Sequence, residues 1–73
     1  MEYPVIDVEA TGMRIKSLIE ESHYSVSEIA SYLGTSKSLV YRYIRGEVLP
    51  SIDRILALSV YLNVHMEDII AVS

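Results

Sequence analysis

The stretch Ser25-Val26-Ser27-Glu28-Ile29-Ala30-Ser31-Tyr32-Leu33-Gly34-Thr35-Ser36-Lys37-Ser38-Leu39-Val40-Tyr41-Arg42-Tyr43-Ile44-Arg45-Gly46 decides the fold. It opens on a capping box, in which the Ser25 hydroxyl caps the N3 amide and Glu28 reaches back to the cap amide. Ile29, Ala30 and Leu33 then recur at helical spacing and predict the inner face of a short helix. Gly34 follows at once, where a left-handed exit is expected. Ser36 is placed to cap a second short helix, on which Val40, Tyr43 and Ile44 share one face. Lys37, Ser38, Tyr41 and Arg42 lie on the other side with Arg45, and Gly46 ends the helix.

Two helices of about eight residues, joined by a short turn containing glycine, describe a helix-turn-helix. The sequence places it at about residues 26 to 45. The first helix of such a unit crosses the second and holds it at a steep angle, which calls for a small residue at the crossing; Ala30 stands there. Ile29, Leu33, Val40 and Ile44 lock the unit to the body. The exposed side of the second helix is then free to enter a major groove, which accepts one α-helix.

Outward from this unit, the periodicity predicts an all-α chain of five helices. A first helix starts near Asp7, an acceptable N-cap, and runs to about Ser22. Val8, Gly12, Ile15, Leu18 and Ile19 form its buried stripe, with Arg14, Lys16, Glu20 and Glu21 facing out. Gly12 inside it costs about 1 kcal/mol against alanine, so a close helix approach is expected there. After Glu47-Val48-Leu49-Pro50, Ser51 caps a fourth helix through Ile52, Ile55, Leu56, Leu58, Ser59, Tyr61 and Leu62, and Asn63 supplies a left-handed exit. A short fifth helix covers about Met66 to Ala71, with Ile69 and Ile70 inward. Residues 1–6 read as an N-terminal arm and residues 7–73 as one domain. No segment reads as a strand.

The chain has 73 residues and no cysteine, which excludes disulfides and thiolate metal sites. His23 and His65 share no metal-ligand spacing, so no metal or cofactor is expected. No apolar run approaches the ~20 residues of a membrane span. The N-terminus lacks the basic region of a secretion signal, and the chain reads as cytoplasmic, nucleoid-associated when on DNA. The net charge is −4, yet residues 35–46 hold Lys37, Arg42 and Arg45 and no acid. That segment carries +3, leaving −7 for the rest. An acidic body with one basic face approaches phosphates in a single orientation, and its non-specific affinity is expected to be weak and salt-dependent.

The residues also resemble a known family. The run from Ile29 to Ser36, then Val40-Tyr41-Arg42-Tyr43 and Arg45-Gly46, is similar to the Cro/cI repressor-like, XRE-type family of helix-turn-helix regulators. Leu49-Pro50-Ser51 with Leu56-Ala57-Leu58-Ser59, and the run from Leu62 to Ile70, resemble its last two helices. The resemblance covers about residues 13 to 71. It implies a compact five-helix lambda-repressor-like DNA-binding domain that binds operators as a homodimer. Carried over by position, it implies that Lys37, Ser38 and Arg42 face base edges and that Ser36 and Arg45 meet phosphate. Leu39 is placed to touch a thymine methyl, and Tyr41 the backbone or a base.

Three departures stand out. Val26 replaces a glutamine that in this family binds phosphate and braces the recognition helix. Ile19 and Ile44 replace an Arg–Glu pair between helices one and three; a joint apolar replacement of a buried pair is often neutral or stabilising, and suggests that the two touch. His65 replaces a good cap, so a frayed start to helix five is expected.

Tyr43 is assigned to the core by its spacing from Val40, and Tyr41 is left open between packing and contact. Hydrophobic residues make up 51% of the chain, with a mean hydropathy of +0.29. The surplus gathers in helices four and five, at Leu58, Val60, Tyr61, Val64, Met66, Ile70 and Val72. It predicts a homodimer through that region, which also sets two recognition helices about one DNA turn apart. The leading expectation is a transcriptional regulator, a repressor by operator occupancy, with double-stranded DNA as partner. The alternative is a protein-interaction module on the same fold, of antitoxin or anti-repressor type, favoured by the acidic sum and Val26. No nucleophile–base pair, phosphate loop or metal cluster supports an enzyme, and no small-molecule ligand is evident.

Overall fold

The computed structural model describes residues 3–73. Its five helices are α1 (Val8–Glu21), α2 (Val26–Leu33), α3 (Lys37–Ile44), α4 (Ile52–Leu62) and α5 (Met66–Ile69). Each of the first four begins on a side chain that takes an otherwise unpaired amide of the first turn. Asp7 accepts from the Ala10 N–H, Ser25 from Glu28, Ser36 from Leu39 and Ser51 from Arg54. Glu28 returns the bond to the Ser25 amide at 2.9 Å, completing the capping box.

The core is one cluster. Ile15 and Ile19 of α1, Ile29 and Ala30 of α2, Val40 and Tyr43 of α3, Ile55 and Leu58 of α4 and Ile69 of α5 are all buried in it. Ile44 and Val26 are half-buried and packed against the same cluster. Apolar packing thus occupies the position where an Arg–Glu pair was replaced by Ile19 and Ile44, and the Val26 side chain packs against the edge of the core.

In α1 the stripe shifts from its expected line. Val8 and Leu18 are only half-buried, and Thr11 is fully buried. The reason is a hydrogen bond that polarity alone does not announce. The Thr11 hydroxyl accepts from the Ala71 N–H at 3.0 Å and lies 3.5 Å from the Ala71 carbonyl. A buried hydroxyl paired in this way avoids the penalty of an unsatisfied group.

The C-terminal end corrects two expectations. Helix α5 stops at Ile69, two residues short of Ala71, and Ile70 is extended. The chain there leaves the helix to pair with the other terminus. Ile6 and Val72 form an antiparallel bridge, Asp7 donates to the Ala71 carbonyl and Ser73 to that of Val5. Residues 5 and 6, read from sequence as part of an arm, make these contacts; Met1 and Glu2 lie outside the described residues. The start of α5 is also held: Asp68 accepts from the His65 amide at 3.0 Å, so the second half of a capping box replaces the missing cap side chain. Arg14 is exposed, as expected, and from the surface closes the far end by donating to the carbonyls of Glu67 and Ile70.

Leu58, counted in the expected apolar surface, is instead buried core, and Tyr61, Val64, Met66 and Ile70 are half-buried. Helix α4 is apolar nearly all round, so its period could not say which side faces in. The structure leaves Ile52, Leu56 and Val60 exposed, four residues apart along one line of α4, together with Val72.

Candidate nucleic-acid interface

The geometry of α3 is set from behind. Val40 and Tyr43 are each no more than 3% exposed. The Tyr43 hydroxyl reaches through the core to accept from Arg54 of α4 at 2.8 Å. The C-terminal end of α3 lies against α1 backbone to backbone. A Cβ on Gly12 would come within 2.5 Å of the Tyr43 carbonyl oxygen and 2.9 Å of the Ile44 oxygen and the Gly46 nitrogen. No side chain fits there without moving the main chain, and this is the close approach expected at Gly12. Gly46 has φ of 72° and its missing Cβ would meet Glu9 Cα at 2.7 Å, so both its conformation and its space require glycine.

In front, α3 presents a ridge. Lys37, Ser38, Tyr41, Arg42 and Arg45 are exposed, as is Ser36 at the cap. Leu39 differs from the others: it is half-buried and packs against the core cluster, so it stands at the edge of the ridge. Ser36 has its hydroxyl oxygen accepting from the Leu39 amide. The turn that separates α2 from α3 is short and braced by its own backbone, with Thr35 donating to the Ala30 carbonyl and Gly34 to that of Ser31. The site is a short, rigid rod, cationic and polar on its free side.

One residue of this surface was missed. Residues 35–46 contain no acid, but Glu47 follows directly. The end of α3 is a Schellman turn: Gly46 donates to the Tyr43 carbonyl and Glu47 to the Arg42 carbonyl, at 3.0 and 2.9 Å. That turn returns the chain over the last turn of the helix and sets the Glu47 carboxylate between two guanidinium groups. It pairs with Arg45 and lies 3.7 Å from Arg42 Nε. The hydrogen bond from Arg45 holds the Glu47 carboxyl below its ordinary value; desolvation opposes it, and the charges of Arg45 and Arg42 add smaller lowering contributions. The signal was present in the sequence: a glycine at C′ puts the next residue beside the one at C3.

Three tyrosines meet on α4, on α2 and just before α2. Tyr61 is stacked between Tyr24 and Tyr32, with ring centroids 4.2 and 3.9 Å away. Burial against these rings pushes the Tyr61 hydroxyl up, with smaller contributions from Tyr24, Glu28 and Tyr32. The stack joins the end of α4 to α2 and so helps to hold the first helix of the turn unit.

Comparison with known proteins agrees with this arrangement. Residues 15–69 match a family model described as helix-turn-helix. The chain is 39% identical, across 71% of its length, to a candidate HTH-type transcriptional regulatory protein of Pyrococcus furiosus, but spans only 19% of that protein. Among solved structures it is similar to the restriction-modification controller protein C.AhdI of Aeromonas hydrophila. The TM-score is 0.77 and the identity 25%, over 86% of this chain and 96% of the other. It is also similar to SinR, described as the master regulator for biofilm formation and solved in complex with DNA. There the TM-score is 0.69 and the identity 34%, over 78% and 92% of the two chains.

Proposed function

The chain belongs to the helix-turn-helix family, of the XRE-type, Cro/cI repressor-like kind, and on that premise we propose that it is a sequence-specific DNA-binding transcriptional regulator that sets α3 in the major groove. One observation carries the reading. A groove-sized helix is fixed on its back by Val40, Tyr43 and Gly46 and bears exposed Lys37, Ser38, Tyr41, Arg42 and Arg45 on its front. Preorganisation of this kind removes the ordering penalty from binding. Arg42 and Lys37 donate to guanine O6 and N7, Arg being suited to a bidentate contact, and Ser38 reads a neighbouring base. Arg45 and the Ser36 end of the helix meet phosphate. Leu39 and Tyr41 flank these contacts at the groove wall.

The same reading includes a homodimer through α4 and α5. Ile52, Leu56 and Val60 are 64%, 52% and 67% exposed on one line of α4, and an apolar stripe of this kind is what a symmetric contact covers. Two copies then present two α3 helices to half-sites of a palindromic operator. Among the described residues no helix is long and apolar enough to cross a membrane, and the proposed place of action is the nucleoid within the cytoplasm. Occupancy of the operator makes the protein a repressor.

The test is selection of bound sequences from a random duplex pool. The expected result is a palindromic consensus, lost in a Lys37→Ala, Arg42→Ala variant. Recovery of no enriched sequence at low salt, together with a stable complex with a partner protein, would replace this reading with that of a protein-interaction module.

A further inference from the structure

Glu47 stands on the proposed reading surface with the wrong sign for it. Its carboxylate is bonded to Arg45 and 3.7 Å from Arg42, two of the three cations on α3 and its C-cap. Its position is not a matter of a loose side chain. The Glu47 amide donates to the Arg42 carbonyl at 2.9 Å, and Gly46 before it is pinned against Glu9. The backbone therefore sets Glu47 beside the last turn of α3, within reach of both arginines, which are each about half exposed and turn their Nε atoms toward its carboxylate. A carboxylate, like a phosphate with its two non-bridging oxygens, offers guanidinium a pair of anionic acceptor oxygens.

We propose that Glu47 is an internal competitor for phosphate, which occupies Arg42 and Arg45 in the free protein and so suppresses binding to non-operator DNA. The proposal rests on the DNA-binding reading above. Contact with a duplex requires the arginines to exchange Glu47 for phosphate or base and leaves the freed carboxylate beside a polyanion. A random duplex returns only phosphate contacts for that exchange, which are about equal to what is given up. An operator adds base contacts and overcomes it. The acid thus widens the gap between specific and non-specific binding, the quantity that matters where non-specific sites are in large excess.

The experiment compares wild type, Glu47→Gln and Glu67→Gln on a random-sequence duplex over a series of salt concentrations, with the helical content of each checked by circular dichroism. Glu67→Gln removes the same charge from α5. Glu47→Gln keeps the backbone bond that closes α3. The expected result is a gain for Glu47→Gln of roughly two- to fivefold at low salt, the range of an exposed ion pair. The salt slope should steepen by up to about one, and the gain should shrink in an Arg45→Ala background and shrink further when Arg42→Ala is added. Equal or weaker binding by Glu47→Gln, or the same gain from Glu67→Gln, would overturn the proposal while leaving DNA binding intact. Failure of every protein to bind any duplex at low salt would overturn the DNA-binding reading, and this proposal with it.

Discussion

Arg54 of α4 donates a 2.8 Å hydrogen bond to the hydroxyl of Tyr43, a residue otherwise enclosed in the core at 3% exposure. Tyr43 therefore serves two neighbours at once: its ring fills the space behind α3 and its oxygen ties α3 to α4. Tyr43→Phe keeps the ring and loses the tie, with an expected loss of about 1 kcal/mol. Tyr43→Ala empties the site and should lose about 3–5 kcal/mol, enough to unfold much of so small a domain. Urea unfolding of the two variants measures both. Equal losses would mean that the hydrogen bond, rather than the ring, dominates.

At Gly12, helix propensity and packing make opposite predictions. Alanine is the better helix former by about 1 kcal/mol, but its Cβ would stand 2.5 Å from a carbonyl oxygen of α3. Overpacking against main chain is expected to win, with Gly12→Ala less stable by about 1–3 kcal/mol. Because the displaced element is α3, the same variant should also bind DNA more weakly than its loss of folded protein explains. A raised melting temperature would show that the gap between α1 and α3 relaxes easily.

The cations of α3 should separate by role. Arg42→Ala is expected to weaken operator binding by about 1–3 kcal/mol and to relax the preference at one base pair. Arg45→Ala should weaken all sequences alike and reduce the salt slope by about one. Binding isotherms on the selected operator and on single-base variants of it distinguish the two patterns. A loss of base preference on Arg45→Ala would exchange the assignments.

Acid should expose the Glu47 pairs. The carboxyl sits below its ordinary 4.5 in the folded chain, chiefly through Arg45. A group held lower in the folded than in the unfolded state stabilises the fold above the unfolded value, and that contribution fades as pH falls through the folded one. Melting temperatures of wild type and Glu47→Gln should therefore differ most at neutral pH and draw together as pH falls below 4.5. A difference that grew on acidification would place another carboxyl in control.

Association should follow the α4 stripe. Leu56→Lys puts a charge in the middle of Ile52, Leu56 and Val60 without touching the core, since Leu56 is 52% exposed. Sedimentation should show the wild type as a dimer at micromolar concentration and the variant as a monomer with unchanged helical content. Dimers in both would move the interface off α4.

What could be read from the sequence was what is local. Caps, glycine exits and the 3.6-residue period act within a turn or two, so α2, α3, their turn and the buried places of Ile29, Ala30, Val40 and Tyr43 are legible in the residues alone. The exposed side of α3 followed from the same period. Most of the misses are non-local. Thr11 is buried because Ala71 meets it from sixty residues away, and α5 ends early because residues 70–73 are drawn to residues 5–7. Neither partner carries a mark of the other. Leu58 and Leu56 differ in burial by the orientation of a helix that is apolar on most sides, which a period alone does not orient. Glu47 lay one residue past the segment that charge counting had set apart, although the Schellman turn would have brought it back.

The meeting of Ile6 with Val72 leaves the two ends of the described chain as neighbours, with Ser73 bonded to Val5. A fold whose entry and exit coincide can be spliced into the surface loop of a larger host without prising either apart. Whatever lies on either side, α3 keeps its orientation, because everything that aims it sits between those ends. The reading helix is in that sense a cassette, portable between architectures with its aim already set.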